Sequence, residues 1–276
     1  MNNLPIFDTH CHLADEKYQK QSRSTTEIIQ QAKKVGVKYI LNTGQDMPTN
    51  RLLLEQLKDF ANLFGALGLH PNSKEDLTEE NLNWIEEQLT NPKIIAIGEI
   101  GLDYYWEKNI YHRETQKDWF KRQLELARKY NLPVLLHIRG EENEDRFMDA
   151  FTDAYKIVKE ARIKKGILHC FTGDWAIAQK FIDLGFYISF AGNITYKNAK
   201  WKEKWGEVLE KVPLERIVVE TDAPYLSPEP LRGKINYPSN IIYTLQKIAK
   251  IKKREVNEIV EKIYSNTLNL FKLFID

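Results

Sequence analysis

The chain has 276 residues, of which 42% are hydrophobic and 29% charged, the balance of an ordinary folded protein and not of a disordered, collagenous or disulfide-framework chain. Forty basic residues face thirty-nine acidic ones, for a formal charge of +1, so any anionic partner must be held by a local site and not by a global field. The two cysteines, Cys11 and Cys170, allow at most one disulfide, no secretory apolar stretch is visible, and no apolar run reaches the length of a membrane span. A reducing, cytoplasmic setting with no membrane partner is the expectation.

Eight short apolar, β-branched runs follow one another along the chain. They are Ile6–Asp8, leading into Thr9-His10-Cys11-His12, then Tyr39–Asn42, Phe64–Leu69, Ile94–Glu99, Val134–Ile138, Ile167–Cys170, Phe186–Phe190 and Ile217–Thr221. They start about every 30 residues, the length of one strand–helix unit. Helical spacing separates them: Phe120, Leu124 and Ala127 within 118–130, and Val256, Ile259, Val260, Ile263 and Tyr264 near the C-terminus. Continuous hydrophobic strands between amphipathic helices predict an α/β fold with a parallel sheet covered on its outer face. Eight units predict a closed (β/α)8 TIM-like barrel, with a doubly wound open sheet as the alternative. With no linker, low-complexity tract or repeat, residues 1–276 read as one domain.

Polar residues sit where the strands end. Of six histidines, His10, His12, His70, His137 and His169 fall at or near C-terminal strand ends, as do Glu99 and Asp222; only His112 falls elsewhere. In a barrel these ends converge on one mouth, where active sites are built. Strand alternation puts His10 and His12 on one face, suited to a shared cation, and turns Cys11 toward the helices. The same alternation turns Cys170 outward, away from His169. Glu99 ends a run too apolar for a carboxylate unless it is ligated or ion-paired with a rim helix. Together these residues suit Zn²⁺, Mn²⁺ or a similar divalent ion. Glu220, two residues before Asp222, reads either as a carboxylate supporting the site or as a rim ion pair.

Six motifs in chain order resemble the TatD family of metal-dependent deoxyribonucleases, members of the amidohydrolase superfamily of (β/α)8 barrels. They are Phe-Asp-Thr-His-Cys-His-Leu (7–13), Gly-Leu-His-Pro (68–71), Gly-Glu-Ile-Gly-Leu-Asp-Tyr (98–104), Leu-Pro-Val-Leu-Leu-His-Ile-Arg (132–139), His-Cys-Phe-Thr-Gly (169–173) and Glu-Thr-Asp-Ala-Pro-Tyr-Leu (220–226). The resemblance runs from Phe7 to about Asn240. It implies that His10 and His12 hold one metal with Asp222 beside them, and that Glu99 bridges to a second metal held by His137 and His169. The ions would be zinc, magnesium or manganese. A related superfamily pattern bridges with a modified lysine, which strand 4 here lacks. Asp222 becomes the general base, and His70 and Arg139 become contacts for a scissile phosphate; a rim histidine is the alternative for His70. Leu231-Arg232-Gly233-Lys234 resembles the family's basic loop after strand 8. The chain departs from that loop at Ile235 and Tyr237, where a basic and an acidic residue are usual.

The expected enzyme is a monomeric deoxyribonuclease acting on DNA held by local contacts. A superfamily hydrolase of an amide, lactone or small phosphoester shares the same ligand set, and a non-catalytic metal-binding module is the third reading. Tyr104, Tyr105, Trp106, Phe171, Trp175 and Tyr225 either stack unpaired bases or pack the rim. The basic run 197–202 either lines a strand path or forms a solvated helix face.

Overall fold

A computed structural model describes residues 4–143, 146–197 and 202–275. Eight parallel strands form one sheet in sequential order. They are β1 (Ile6–Cys11), β2 (Val37–Thr43), β3 (Leu63–Leu67), β4 (Ile94–Asp103), β5 (Val134–Arg139), β6 (Gly166–Leu168), β7 (Tyr187–Phe190) and β8 (Ile217–Val219). The helices are α1 (Glu16–Lys20), α2 (Thr25–Lys34), α3 (Met47–Asp59), α4 (Glu79–Gln88), α5 (Ile110–Lys129), α6 (Asp149–Glu160), α7 (Trp175–Asp183), α8 (Lys202–Lys211), α9 (Ile241–Lys252) and α10 (Val256–Phe271). The architecture is the (β/α)8 barrel that the strand count predicts. Beyond the short β8, the chain closes on β1 through Asp222 N–H to His10 O (2.9 Å) and His12 N–H to Ala223 O (2.7 Å).

Helix starts follow local chemistry. Ser24 and Glu27 form a reciprocal capping box at α2, and Asp46 and Thr49 do the same at α3. Each helix lays an apolar stripe on the strands, such as Phe120, Leu124 and Ala127 of α5 and Ile259, Val260 and Ile263 of α10, all buried.

The barrel interior is divided along its axis. Phe7, Leu41, Ala66, Ala96, Leu135, Ile167 and Val218, from seven strands, fill the floor together with Leu270 and Phe271 of α10. The Phe7 ring stacks on Phe64 at 5.8 Å and on Phe271 at 6.1 Å. Above this plug the interior turns polar. The β1–β2 register shifts between Asp8 and Cys11. Phe7 in the floor and His10 in the mouth therefore both point inward despite opposite parity in sequence.

Strand ends differ from the sequence reading at two functional places. β4 runs four residues past Glu99, because its outer half pairs with β5 from Ile100↔Leu136 to Asp103↔Arg139 after a register shift. β8 stops at Val219, so Thr221 and Asp222 lie in the segment beyond it. Among the described residues no helix is long and apolar enough to cross a membrane.

Gly101 has φ +145°, and a Cβ there would lie 2.0 Å from the His137 carbonyl oxygen. Gly233 also has positive φ, +87°, but open space around it. Gly101→Ala should lose more than about 3 kcal/mol in chemical denaturation, since overlap adds to strain. Gly233→Ala should lose about 1–2 kcal/mol, the strain alone. Equal losses would contradict this reading of the β4–β5 contact.

Candidate metal centre

The eight site residues read from the sequence, His10, His12, His70, Glu99, His137, Arg139, His169 and Asp222, come together at the mouth, although Arg139 stands further out than the rest. Seven of them, all except His10, line one cavity of about 620 Å³. His10 lies beneath it, fully buried.

Glu99 is the centre of the cluster. Its Oε2 lies 3.4 Å from His10 Nε2 and 3.5 Å from His12 Nε2. Its Oε1 lies 2.7 Å from His137 Nδ1 and 3.0 Å from His169 Nε2. One carboxylate thus presents an oxygen to each of two histidine pairs. Burial alone would raise its pKa; the surrounding histidines, led by His169, hold it well below the usual carboxylate range.

The donor set fits divalent cations. His12 Nδ1 lies 2.9 Å from the Thr43 carbonyl, which fixes the ring proton there and leaves the Nε2 lone pair facing inward. That lone pair meets His10 Nε2 at 3.1 Å and Asp222 Oδ1 at 3.4 Å, with Asp222 Oδ1 also 3.8 Å from His10 Nε2. Ligand atoms about 2.1 Å from a tetrahedral ion are themselves about 3.4 Å apart, which is the spacing here. On the other side, His137 Nδ1 and His169 Nε2 are 3.4 Å apart, each beside Glu99 Oε1. Histidine and carboxylate donors converging in this way could hold a cation between them.

Outer carboxylates orient the second pair. Asp103 Oδ2 lies 3.1 Å from His137 Nε2, and Glu220 Oε1 lies 3.3 Å from His169 Nδ1. Burial opposes protonation of His137, but Asp103 and Glu99 outweigh it and push its pKa up to about 9. Glu220 is fully buried, so the supporting role holds and the rim ion pair does not.

His70 differs from the other four. The Asn72 backbone N–H donates to its Nδ1 at 3.1 Å, so the ring proton sits on Nε2. That Nε2 points toward Glu99 Oε1 at 3.6 Å. Burial and the charge of His137 push its pKa down to about 3, so the ring is neutral. His70 therefore offers a hydrogen-bond donor to the cavity and no lone pair on that side. Arg139 ends β5 on the cavity rim with its guanidinium 3.9 Å over the Tyr105 ring. Among the described residues no carboxylate is paired with it.

Asp222 is held by a backbone cradle that the sequence does not reveal. Its φ is +55°, a conformation that costs a non-glycine residue about 1–2 kcal/mol. Next to it, Thr221 donates its N–H to Asp8 Oδ1 (2.9 Å) and its hydroxyl to Asp8 Oδ2 (2.5 Å). The Asn236 amide donates to the carbonyls of Thr221 (2.9 Å) and Tyr225 (2.7 Å). These bonds replace the ladder that β8 abandons and aim the Asp222 carboxylate at His10 and His12. Burial works to raise the Asp222 pKa, but the His12 contact and nearby histidines hold it below its ordinary value.

Cys11 packs on the helix side, fully buried, as alternation predicts. Cys170 does not face outward. β6 has ended at Leu168, Cys170 takes φ +43°, and it lines the cavity while its N–H donates to Glu220 Oε1 at 2.6 Å. Alternation fails once the strand is over. Burial pushes both thiols well above their ordinary range, leaving them inert.

Of the six aromatics, Tyr105, Trp106 and Tyr225 line the cavity, Tyr104 and Phe171 are buried, and Trp175 packs against the core. Phe147, Tyr196, Trp205 and Asn193 also line the cavity. They lie in loops, a 3-10 turn and α8, with no strand-end signal to mark them. In the basic loop Arg232 stacks on Tyr196 at 4.2 Å. Ile235 and Tyr237, where the chain departs from the family loop, pack against the core, Tyr237 on Tyr18 at 5.6 Å. Of the basic run 197–202, residues 198–201 lie outside the described residues.

A parallel eight-stranded barrel with a histidine–carboxylate cluster at its mouth has the build of a metal-dependent hydrolase. The chain belongs to the TatD related DNase family, whose model matches residues 7–272. It is 39% identical to "Uncharacterized metal-dependent hydrolase YabD" of Bacillus subtilis over 97% of this chain and 99% of that one. It is 32% identical to the Escherichia coli metal-dependent hydrolase YcfH, over 97% and 96% respectively. The crystal structure of the Escherichia coli TatD homologue YjjV superposes with a TM-score of 0.85 at 27% identity, covering 97% of this chain and 98% of that one.

Asn236→Ala should strand two buried carbonyls and cost about 1–3 kcal/mol of stability. It should also loosen metal retention by releasing Asp222. Denaturation and elemental analysis read both, and wild-type values in both would contradict the cradle.

Proposed function

We propose that this hydrolase cleaves phosphodiester bonds in DNA, using water activated between two divalent cations. The observation that carries the reading is Arg139, a guanidinium without a carboxylate partner among the described residues, on the same cavity as the histidine–carboxylate centre. An amide or lactone has no use for such a group, while a phosphodiester carries the charge it matches.

His10, His12 and Asp222 would hold one ion, His137 and His169 the other, with Glu99 shared between them. Zinc, manganese and magnesium are the candidates. Bound there, such a pair lowers the pKa of water toward neutrality and takes up charge developing on the phosphoryl oxygens. Asp222, beside His12 at the mouth, accepts the proton of the attacking water. The neutral His70 donates its Nε2–H to a non-bridging phosphoryl oxygen, and Arg139 balances the second. Asp103 and Glu220 keep His137 and His169 turned to the site throughout. In this reading the enzyme acts as a monomer. Two free thiols suit a cytoplasmic setting.

Asp222→Asn should lower DNA turnover at least about 10²–10⁴-fold with the fold intact. Arg139→Ala should lower phosphodiester turnover roughly 10²-fold while leaving any carboxylic ester or lactone turnover nearly unchanged. The assay compares single-stranded DNA, RNA, small phosphodiesters and lactones on metal-reconstituted protein. Lactone turnover above phosphodiester turnover, with Arg139→Ala indifferent on both, would overturn the reading.

A further inference from the structure

We propose that Trp106, backed by Tyr105 and Arg139, is a stacking platform for the unpaired base of the nucleotide whose phosphate enters the centre. The proposal rests on the phosphodiester reading above and names the part of the substrate that this rim recognises.

Trp106 is 66% exposed, a large apolar ring left in water at the edge of the cavity. Single exposed aromatics are common, so exposure alone means little. Its placement says more. The Tyr105 and Trp106 rings meet edge to face at 4.9 Å, 88° apart. The Arg139 guanidinium lies 3.9 Å over Tyr105 and 5.8 Å from the Trp106 ring centre. Lys108 adds a second cation 5.3 Å over Tyr105. Cations thus lie over the Tyr105 ring, and Trp106, in T-shaped contact with it, keeps most of its own surface in water.

The platform is tied to the metal centre through a single residue. Asp103 Oδ1 accepts the backbone N–H groups of Tyr105 (3.0 Å) and Trp106 (3.1 Å). Its Oδ2 holds His137 Nε2 at 3.1 Å. The loop carrying the aromatic face and the histidine beside Glu99 are therefore set in fixed register by one carboxylate. A ligand that spans them carries an anion at Arg139 and a flat apolar ring beside it. A nucleotide has both parts in covalent neighbourhood. Inside a duplex both faces of a base are already stacked, so the base that lies on Trp106 is an unpaired or frayed one, or one at a strand end.

Stacking on an aromatic side chain is worth about 1–3 kcal/mol per base, roughly 10–100-fold. The test uses metal-reconstituted protein and two single-stranded oligodeoxynucleotides, one intact and one with a tetrahydrofuran abasic residue at the terminal nucleotide. Wild type should favour the intact strand roughly 10–100-fold in kcat/KM, mostly through KM. Trp106→Ala should bring that ratio close to one, and Trp106→Phe should restore part of it. A ratio that survives in Trp106→Ala, or that is near one in wild type, overturns the proposal. Equilibrium binding of deoxyadenosine 5′-monophosphate against deoxyribose 5-phosphate provides a second readout. A base-dependent affinity that Trp106→Ala abolishes, on a protein that cleaves no phosphodiester, would support the platform and sink the nuclease reading. Cleavage indifferent to the base would sink the platform and leave the nuclease reading standing.

Discussion

Everything at the mouth of this barrel depends on a carboxylate placed where a carboxylate should not be. Glu99 is buried in the middle of an apolar strand, and an isolated charge in that position would be prohibitively costly. Four histidine nitrogens within 3.5 Å make it tolerable, two on each oxygen. The histidines turn their ring nitrogens toward the same space around Glu99. The same histidines and Glu99 form donor sets that could hold a divalent cation.

The fold separates the residues that stabilise from those that act. Phe7, Leu135, Val218 and Phe271 pack the lower barrel as a continuous apolar plug. The upper barrel could then be given to polar groups, three of its histidines anchored from outside by a partner: Thr43 for His12, Asp103 for His137, Glu220 for His169. Irregularities fall where the two regimes meet. The β1 register shifts beyond Asp8, β4 shifts between Ile97 and Ile100, and β8 stops early. Each departure from regular pairing turns a functional side chain toward the axis.

Much of this was legible in the sequence because it is periodic. Strand–helix alternation gives the barrel, and strand ends give His10, His12, Glu99, His137 and His169. Alternation over two residues pairs His10 with His12 and sends Cys11 to the helices. What the sequence hides is set by backbone geometry outside the strands. Cys170 points into the cavity because its left-handed turn breaks the alternation. Asn236 supports Asp222 from a loop that packs Ile235 and Tyr237 against the core, where no period marks it. The chemical roles of Asp103 and Glu220 required distances, since either could have been an ordinary rim ion pair.

The shared role of Glu99 is tested most directly by metal content. Protein reconstituted with excess zinc or manganese and then desalted should carry two ions per chain by elemental analysis. Glu99→Ala should retain well below one, because removing a bridging ligand weakens both sites together. Loss of a single ion in Glu99→Ala, with the other still held at full occupancy, would contradict a carboxylate shared between two sites.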